Sequence, residues 1–205
     1  MASTGFTLLE LLVVMAIMML AVLIGYPMLL KTVARSNLES TAQLIAALLR
    51  QARLESVKRA APAVIVLDPT TKKLSAFLDL NDNAGTPNSD LLFNPKAGLA
   101  ADNTDYLIGE LQVPARVDLG GPASDPLAVK GLTDRGAGPR LVFNGDGSVV
   151  DTGAFRVKDN NENDLEIAIE PKATGRVQLR KWSVADSVWY TRDMKNGKAL
   201  WEWYG

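Results

Sequence analysis

The sequence of 205 residues contains no cysteine and no histidine. Without cysteine the chain cannot form a disulfide in any compartment. Without histidine it lacks the commonest general base and a main zinc ligand, so we expect no zinc site and no histidine-based catalysis. The remaining residues show no recognisable pair of nucleophile and base. The composition therefore predicts a protein that is not an enzyme and that needs no cofactor.

The chain also has little net charge, with a formal value of −1. The chain has no overall basic field that would attract nucleic acid, so nucleic acid is not the expected partner. The charges are unevenly placed, since residues 31–59 carry six lysines and arginines against Glu39 and Glu55. Residues 60–205 are mildly acidic, with 16 basic and 20 acidic side chains.

The chain begins with its longest apolar stretch. Residues 11–24 are all apolar, and extending the stretch back to Phe6 adds only Thr7 and Glu10 as polar positions. Its length is close to the roughly 20 residues that a membrane-spanning helix needs. A secretory signal peptide or a plain anchor would have the same hydropathy, but no small-residue cleavage site follows the stretch.

Two features of this stretch are unusual for a plain anchor. Glu10 is a carboxylate among apolar residues, and an ionised group at the centre of a membrane helix costs roughly 2.5–3.5 kcal/mol. Its place near one end lowers that cost, but the charge still requires a partner. Gly25 and Pro27 lie near the other end, where proline removes a backbone donor and clashes with the preceding turn. We expect a kink or local melting of the helix there.

Residues 5–10 read Gly-Phe-Thr-Leu-Leu-Glu and resemble the processing motif of type IV pilins and type II secretion pseudopilins. The apolar stretch and the proline at its outer end match the same family. The resemblance implies that prepilin peptidase, an inner-membrane enzyme, cuts after Gly5 and methylates the new amine of Phe6. It also implies that Glu10 pairs with the amine of a neighbouring subunit in a filament. Such an ion pair would offset the cost of the carboxylate in lipid and set the axial register.

This interpretation divides the chain into four segments. Residues 1–5 form the leader, residues 6–30 the transmembrane half of one long helix, and residues 31–61 its amphipathic half. In the amphipathic half apolar side chains recur at spacings of three and four, and Pro62 is expected to end the helix. Residues 62–205 form a β-rich periplasmic domain with an aromatic C-terminal tail. The helix would be about 80 Å long at 1.5 Å per residue.

From residue 63 onward, short apolar and β-branched runs alternate with Gly, Pro, Asn and Asp, a pattern typical of strands and turns. Irregular connections are expected at residues 81–104 and 120–139, and tight turns at residues 144–147, 159–164 and 196–197. The predicted fold class is α+β, with the long N-terminal helix packed on an antiparallel sheet domain, which by resemblance is the pilin fold. Strands are predicted at residues 63–67, 74–79, 107–113, 117–119, 141–143, 148–150, 155–158, 165–169, 175–182, 188–192 and 199–204.

Two later elements narrow the resemblance. Residues 143–148 read Phe-Asn-Gly-Asp-Gly-Ser, and residues 175–177 read Gly-Arg-Val. Both are similar to elements near the end of GspH/FimT-type minor pilins, and residues 74–82 resemble their middle region. The chain is therefore identified as a member of the GspH/FimT (FimU) family of minor pilins and pseudopilins. The resemblance implies a minor subunit that primes or caps assembly of a type IV pilus, with a minor pseudopilin of a type II secretion system as the alternative.

The same resemblance implies the surroundings of the protein. The expected partners are prepilin peptidase, other minor pilins, the major pilin, the inner-membrane assembly platform and the lipid bilayer. The leader has no basic residue, whereas Lys31 and Arg35 follow the span, which taken alone would favour a cytoplasmic domain. The peptidase motif requires the opposite orientation. We therefore expect a single pass through the bacterial inner membrane, with the C-terminal domain in the periplasm and the chain incorporated into a filament.

Oxygen ligands cluster after the second predicted strand. Asp79, Asn81 and Asn83 are similar in type to the ligands of a calcium-binding loop. The EF-hand pattern fails, however, because Gly85 is one place late and no Glu closes the loop. A turn is the favoured interpretation, and a calcium site is the alternative.

The C-terminal tail holds all four tryptophans of the chain. One interpretation is that these side chains cover the core of their own domain. The other is that Trp189, Trp201 and Trp203 dock on a neighbouring minor subunit, because exposed aromatic side chains concentrate at interfaces.

A DNA-binding subunit for DNA uptake is an alternative from another class. Some relatives in DNA uptake carry a basic Gly-Arg-x-Arg tail, whereas residues 175–178 here read Gly-Arg-Val-Gln and lack the second arginine. The residues left for such a contact are Arg176, Arg180 and Lys181.

Overall fold

Helix α1 spans Leu8–Arg59 and is the longest element of the fold. The computed structural model describes residues 8–80, 105–134 and 138–191. With 52 residues, the helix is about 78 Å long at 1.5 Å per residue. It is unbroken at Gly25 and Pro27, so the local melting expected there is wrong, while a bend at Pro27 stays a prediction.

Helix α1 ends at Arg59, before the Ala61 expected from the sequence. Ala60 has a positive φ of 49°, and its N–H donates to the Val57 carbonyl at 3.3 Å. The N–H of Ala61 donates to the Ser56 carbonyl at 3.1 Å. This pair of bonds is the Schellman arrangement, in which a left-handed residue ends a helix and satisfies its last carbonyls.

Ten strands follow α1 in the described residues, and they form two antiparallel sheets. The strands are β1 (Ala63–Asp68), β2 (Lys73–Leu78), β3 (Tyr106–Gln112), β4 (Asp118–Leu119), β5 (Val129–Lys130), β6 (Arg140–Phe143), β7 (Gly153–Lys158), β8 (Asp164–Ile169), β9 (Val177–Ser183) and β10 (Val188–Thr191). The four-stranded sheet has the order β3-β2-β1-β6, and the six-stranded sheet has the order β10-β9-β8-β7-β4, with β5 also paired to β7. The predicted α+β fold class is confirmed.

The middle of the four-stranded sheet is buried on both faces, which explains why β1 is apolar almost throughout. Ile65 of β1 pairs with Ala76 of β2 on one side and with Leu141 of β6 on the other. These three side chains belong to the main core. Because side chains alternate along a strand, the opposite face carries a second, smaller apolar cluster formed by Val64, Phe77 and Val142.

The second half of α1 packs against strands of both sheets and shares one hydrophobic core with them. The approach is close at Gly109 of β3, where an added Cβ would lie 3.2 Å from Leu48 Cδ1. Burying a leucine fully stabilises a fold by about 1.5–3 kcal/mol relative to leaving it exposed. The buried residues of α1 are Leu38, Thr41, Ala42, Ile45, Ala46, Leu48, Leu49, Ala52 and Ser56.

The structure differs from the sequence prediction at the end of the β6 hairpin. The strand predicted at residues 148–150 is wrong, since only Val149 forms an isolated bridge, to Phe143. The Val149 N–H donates to the Lys172 carbonyl at 2.9 Å, while the next N–H, of Val150, donates to Val142 at 3.0 Å. The segment divides its hydrogen bonds between two partners and therefore cannot continue as a regular strand.

Two further differences concern short or distant pairings. The connection at residues 120–139, predicted to be irregular, contains β5, which pairs with Phe155 and Ala154 of β7. Strand β10 pairs with β9, a partner that the sequence did not indicate. The loop predicted at residues 81–104 and the strand predicted at residues 199–204 lie outside the described residues.

Candidate assembly site

The first half of α1 is an apolar surface without cover in the isolated chain. Its large apolar side chains are exposed throughout, from Leu8 at 82% to Val33 at 38%. Among the described residues, α1 is the helix that is long and apolar enough to cross a membrane. Exposing such a surface to water is unfavourable. The half-helix therefore requires lipid or other helices around it.

Glu10 lies in the first turn of this exposed half-helix, next to Leu9 and Leu11. The positive end of the helix dipole favours a carboxylate at this place. The dipole does not remove the cost of holding an ionised carboxylate in lipid. The cleavage and methylation positions, Gly5 and Phe6, lie outside the described residues, so their roles stay predictions.

The two family elements of the β domain meet at one place, which we call the motif corner and define by Phe143, Gly147 and Gly175. Gly147 and Gly175 have φ values of 82° and 53°, a left-handed conformation that favours glycine. A Cβ added to Gly175 would lie 2.9 Å from the Gly147 carbonyl oxygen and 2.9 Å from Phe143 Cε1. Both backbone conformation and space thus require glycine at position 175.

The motif corner also anchors α1. Arg53 Nε donates a hydrogen bond to the Gly147 carbonyl at 3.1 Å. A Cβ on Gly147 would lie 3.0 Å from Val57 Cγ2, and one on Gly145 would lie 2.6 Å from the Ala60 carbonyl carbon. The turn therefore fits against the last turns of the helix only because glycine stands at both positions. Sequence analysis found the two elements but not this contact between them.

A groove runs between α1 and the first residues of β9, beside the motif corner. Its volume is about 640 Å³. We call it the arginine groove and define it by the lining residues Arg50, Arg53, Leu54, Val57, Arg176 and Val177. None of these residues is acidic, so the groove is cationic with an apolar floor.

The structure separates the three residues considered for DNA contact. Arg176 is exposed and lines the arginine groove. Arg180 is ion-paired with Glu170 and lies 3.5 Å from Glu166. Lys181 is only 2% exposed. The three residues therefore do not form one basic surface, and the burial of Lys181 argues against its part in a DNA contact. A DNA contact through Arg176 or Arg180 stays a prediction.

Arg156 of the six-stranded sheet is buried and forms ion pairs with two carboxylates. Sequence analysis did not identify it as a site residue. Arg156 Nε lies 2.7 Å from Glu166 Oε2, and Arg156 Nη1 lies 2.9 Å from Asp125 Oδ2. Hydrogen bonds from Lys130 and Arg156 hold the pKa of Asp125 below its ordinary value. Because Asp125 belongs to the connection that carries β5, this network ties that connection to the sheet.

Trp189 of β10 packs against Arg156, the central residue of this ion-pair network. The Arg156 guanidinium lies 5.0 Å from the centre of the Trp189 ring, within the range of a cation–π contact. Trp182 and Trp189 pack edge to face with ring centres 5.2 Å apart. These contacts favour the interpretation that Trp189 covers its own domain. Trp201 and Trp203 lie outside the described residues, and their interface role stays a prediction.

The proposed calcium ligands are only partly described. Asp79 is buried, and its backbone N–H donates to the Pro62 carbonyl at 2.9 Å. Asn81 and Asn83 lie outside the described residues. Within the described part of the chain, no group of three or more acidic, cysteine or histidine side chains could hold a metal ion. The calcium site stays an untested alternative.

Comparisons with known proteins match the N-terminal segment and most of the rest of the chain to two family models. A family model for the prokaryotic N-terminal methylation motif matches residues 1–26. A family model for the type II transport protein GspH matches residues 41–175. A search of curated proteins found no match.

Two solved structures are similar to this chain, and both are crystal forms of the type IV minor pilin FimU from Pseudomonas aeruginosa. The first is 20% identical with a TM-score of 0.42, covering 71% of this chain and 89% of FimU. The second is 20% identical with a TM-score of 0.38, covering 69% of this chain and 91% of FimU.

The family follows from the extent of the matched residues rather than from these structures. The GspH match covers more than half of the 205 residues, including both elements of the motif corner up to Gly175. The methylation-motif match covers Glu10 and the start of the exposed half-helix. The methylation-motif match thus precedes the GspH match, and α1 contains the end of the first and the start of the second. The chain belongs to the GspH family and is a minor pilin or pseudopilin, a membrane-anchored subunit that prepilin peptidase processes and that assembles with other pilins into a filament.

Proposed function

We propose that this protein primes or caps the assembly of a type IV pilus. The observation that carries the proposal is the contrast between the two halves of α1. One face of α1 between Leu38 and Ser56 is buried by the chain's own sheets, whereas the large apolar side chains from Leu8 to Val33 are exposed. A half-helix of this kind is suited to lipid before assembly and to the helices of other subunits afterwards.

The proposed chemistry lies at the start of α1. Cleavage after Gly5 creates a positive amine at Phe6, which is then methylated. Glu10 of one subunit pairs with the amine of its neighbour, and the low dielectric of the surrounding apolar side chains strengthens this attraction. Pairing offsets the cost of holding the carboxylate in lipid and favours the correct axial register of the subunit.

The methylation-motif match at residues 1–26 supports a proposed orientation in the membrane. The leader is proposed to face the cytoplasm, residues 6–30 to cross the inner membrane, and residues 62–205 to fold in the periplasm. Lys31 and Arg35 then lie at the periplasmic side of the span. The proposed partners are other minor pilins, the major pilin and the inner-membrane assembly platform.

A second candidate function is that of a minor pseudopilin in a type II secretion system. It is favoured by the match to the family of the type II transport protein GspH. Deletion of the gene separates the two candidates. Loss of surface pili with normal protein secretion supports the pilus, whereas accumulation of exported enzymes in the periplasm supports the secretion system.

The assembly chemistry is tested by Glu10→Val, which removes the carboxylate and leaves an apolar side chain. The variant is expected to remain stable in the membrane and to be processed, but to be absent from filaments sheared from the cells. Leu11→Val is the matched control, because it changes the adjacent exposed side chain and keeps the charge. Normal amounts of Glu10→Val in the sheared filaments would contradict the proposal.

A further inference from the structure

The arginine groove has an unusual distribution of charge. Its three cations come from two elements, with Arg50 and Arg53 on α1 and Arg176 just before β9. Elsewhere in the described residues, the buried or half-buried Arg156 and Arg180 are paired with carboxylates. The arginine groove therefore carries three positive side chains and no acidic one, which favours an anionic occupant.

The arginines of the groove differ in how firmly they are held. Arg53 is fixed by its hydrogen bond to the Gly147 carbonyl at 3.1 Å. Arg50 and Arg176 are exposed, and within the described ranges neither side chain has a hydrogen bond or ion pair to another residue. Their guanidinium groups are therefore available for a carboxylate, which arginine can bind through two parallel hydrogen bonds.

The floor of the groove decides which kind of anion fits. Leu54 is 69% exposed and Val57 is 49% exposed, and their spacing from Arg50 places all three on one face of α1. A nucleic-acid phosphate would satisfy the cations but leave this apolar surface uncovered. A peptide that carries a carboxylate beside an apolar side chain would satisfy both.

The position of the groove indicates where such a peptide comes from. The groove lies on α1, the same helix whose residues Leu8 to Val33 require other helices as cover after assembly. Leu44, Leu54 and Val57 continue exposed apolar surface along the half of α1 that packs on the domain. A subunit that lies alongside the first half of α1 is thus within reach of the groove.

We propose that the arginine groove docks an acidic segment of a neighbouring filament subunit. A carboxylate of that segment pairs with Arg50 and Arg176, and an apolar side chain beside it rests on Leu54 and Val57. The inference rests on the proposed function, because it requires assembly with other subunits. It adds a second contact point, outside the membrane, to the ion pair proposed at Glu10.

The test places a photo-crosslinking amino acid at position 54 of the full-length chain in the bacterium that produces it. Irradiation is expected to give an adduct with another pilin-like subunit, in which the crosslinked peptide carries Asp or Glu beside an apolar residue. The double variant R50E/R176E is expected to lower the adduct yield at least about tenfold, since like charges then face each other. Arg116→Glu is the matched control, because it reverses an exposed charge that does not line the groove.

Folding and rescue complete the test. The double variant should keep the wild-type melting temperature, because both arginines are exposed, and R50Q/R176Q should give an intermediate adduct yield. Replacing the identified acidic residue of the partner by Arg should restore the adduct with R50E/R176E. An adduct formed only within the same chain, only with lipid or only with DNA would overturn the proposal, as would an adduct unaffected by R50E/R176E.

The two proposals fail in different ways. If the wild-type chain is present in sheared filaments but the groove variants change nothing, only the groove proposal is wrong. If the wild-type chain is absent from filaments altogether, the proposed function itself is wrong.

Discussion

Because Gly147 and Gly175 have no side chain, the turn after β6 and the segment before β9 can pack closely together beside α1. Gly175 precedes β9, Gly147 follows β6, and Arg53 belongs to α1. The Gly147 carbonyl accepts a hydrogen bond from Arg53 and would lie 2.9 Å from a Cβ added to Gly175. The turn chemistry at Gly147 was predictable, since Asn-Gly-Asp-Gly is a turn signal. The contact was not, because it depends on how the two sheets approach the helix.

Gly175→Ala tests the close approach at the motif corner. The added Cβ would meet Phe143 Cε1 and the Gly147 carbonyl oxygen at 2.9 Å, in a left-handed backbone. We expect a loss of about 2–4 kcal/mol in the free energy of unfolding, from the sum of backbone strain and overpacking. Denaturant unfolding of the detergent-solubilised chain measures it.

Gly138→Ala is the control for that prediction, because Gly138 has a φ of 97° but no atom of the described part of the chain lies within 4 Å of an added Cβ. It reports backbone strain without the clash. Equal losses in the two variants would show that close packing at the motif corner contributes nothing.

Asp164 gives the domain a pH dependence of stability. Burial raises its pKa from 3.8 to about 6. Between these values the folded chain binds more protons than the unfolded chain, so its stability falls as the pH rises from 3.8 through 6. Asp164→Asn removes this loss. The melting temperature of the variant relative to wild type is expected to rise between pH 4 and pH 7.

Asp146→Asn should show the opposite trend. Hydrogen bonds from Ser148 lower the pKa of Asp146, so its contribution is present at neutral pH and disappears in acid. A pH-independent difference between Asp164→Asn and wild type would contradict the assignment of Asp164.

At the scale of elements, α1 combines two environments along one uninterrupted helix. Its periodicity and length were predictable from sequence, because apolar spacing and caps are local signals. The end at Arg59 was harder to predict, since the left-handed residue that closes it is Ala60 rather than glycine. Element boundaries of this kind depend on tertiary packing.

Alanine substitutions at Leu49 and Leu54 compare how much the buried and exposed sides of the second half of α1 contribute to stability. Leu49 is fully buried, whereas Leu54 is 69% exposed. Leu49→Ala is expected to lower the free energy of unfolding by about 2–5 kcal/mol, because it leaves a cavity in the core. Leu54→Ala should change it by no more than about 0.5 kcal/mol. Similar losses in both variants would mean that α1 packs on its domain through another face.

The strands show which pairings a sequence can reveal. Apolar runs such as Ala63–Asp68 and Asp164–Ile169 were predicted within one residue of each end. Strand β5 was not, because two residues carry no periodic pattern. Arg156 and Glu166 were missed as buried residues, since charged side chains on strands usually indicate solvent. Their burial depends on the connection at Asp125 and on Trp189, both distant in sequence.

At the scale of the whole molecule, the chain has the form of a subunit rather than of a self-contained protein. One half of its long helix is covered by its own sheets, and the other half requires surroundings that the chain cannot provide. The N-terminal motif and the two family elements were recognisable from sequence because each is a short local pattern. The arginine groove was not recognisable, because its residues are joined only by the packing of α1 beside β9.

The central claim is that the chain is processed as a pilin, and mass spectrometry of the mature N-terminus tests it most directly. The protein should be purified from the inner membrane of a host with active prepilin peptidase. We expect a chain that lacks residues 1–5 and begins with N-methylated Phe6. A chain that begins with Met1 or Ala2 in such a host would contradict the account.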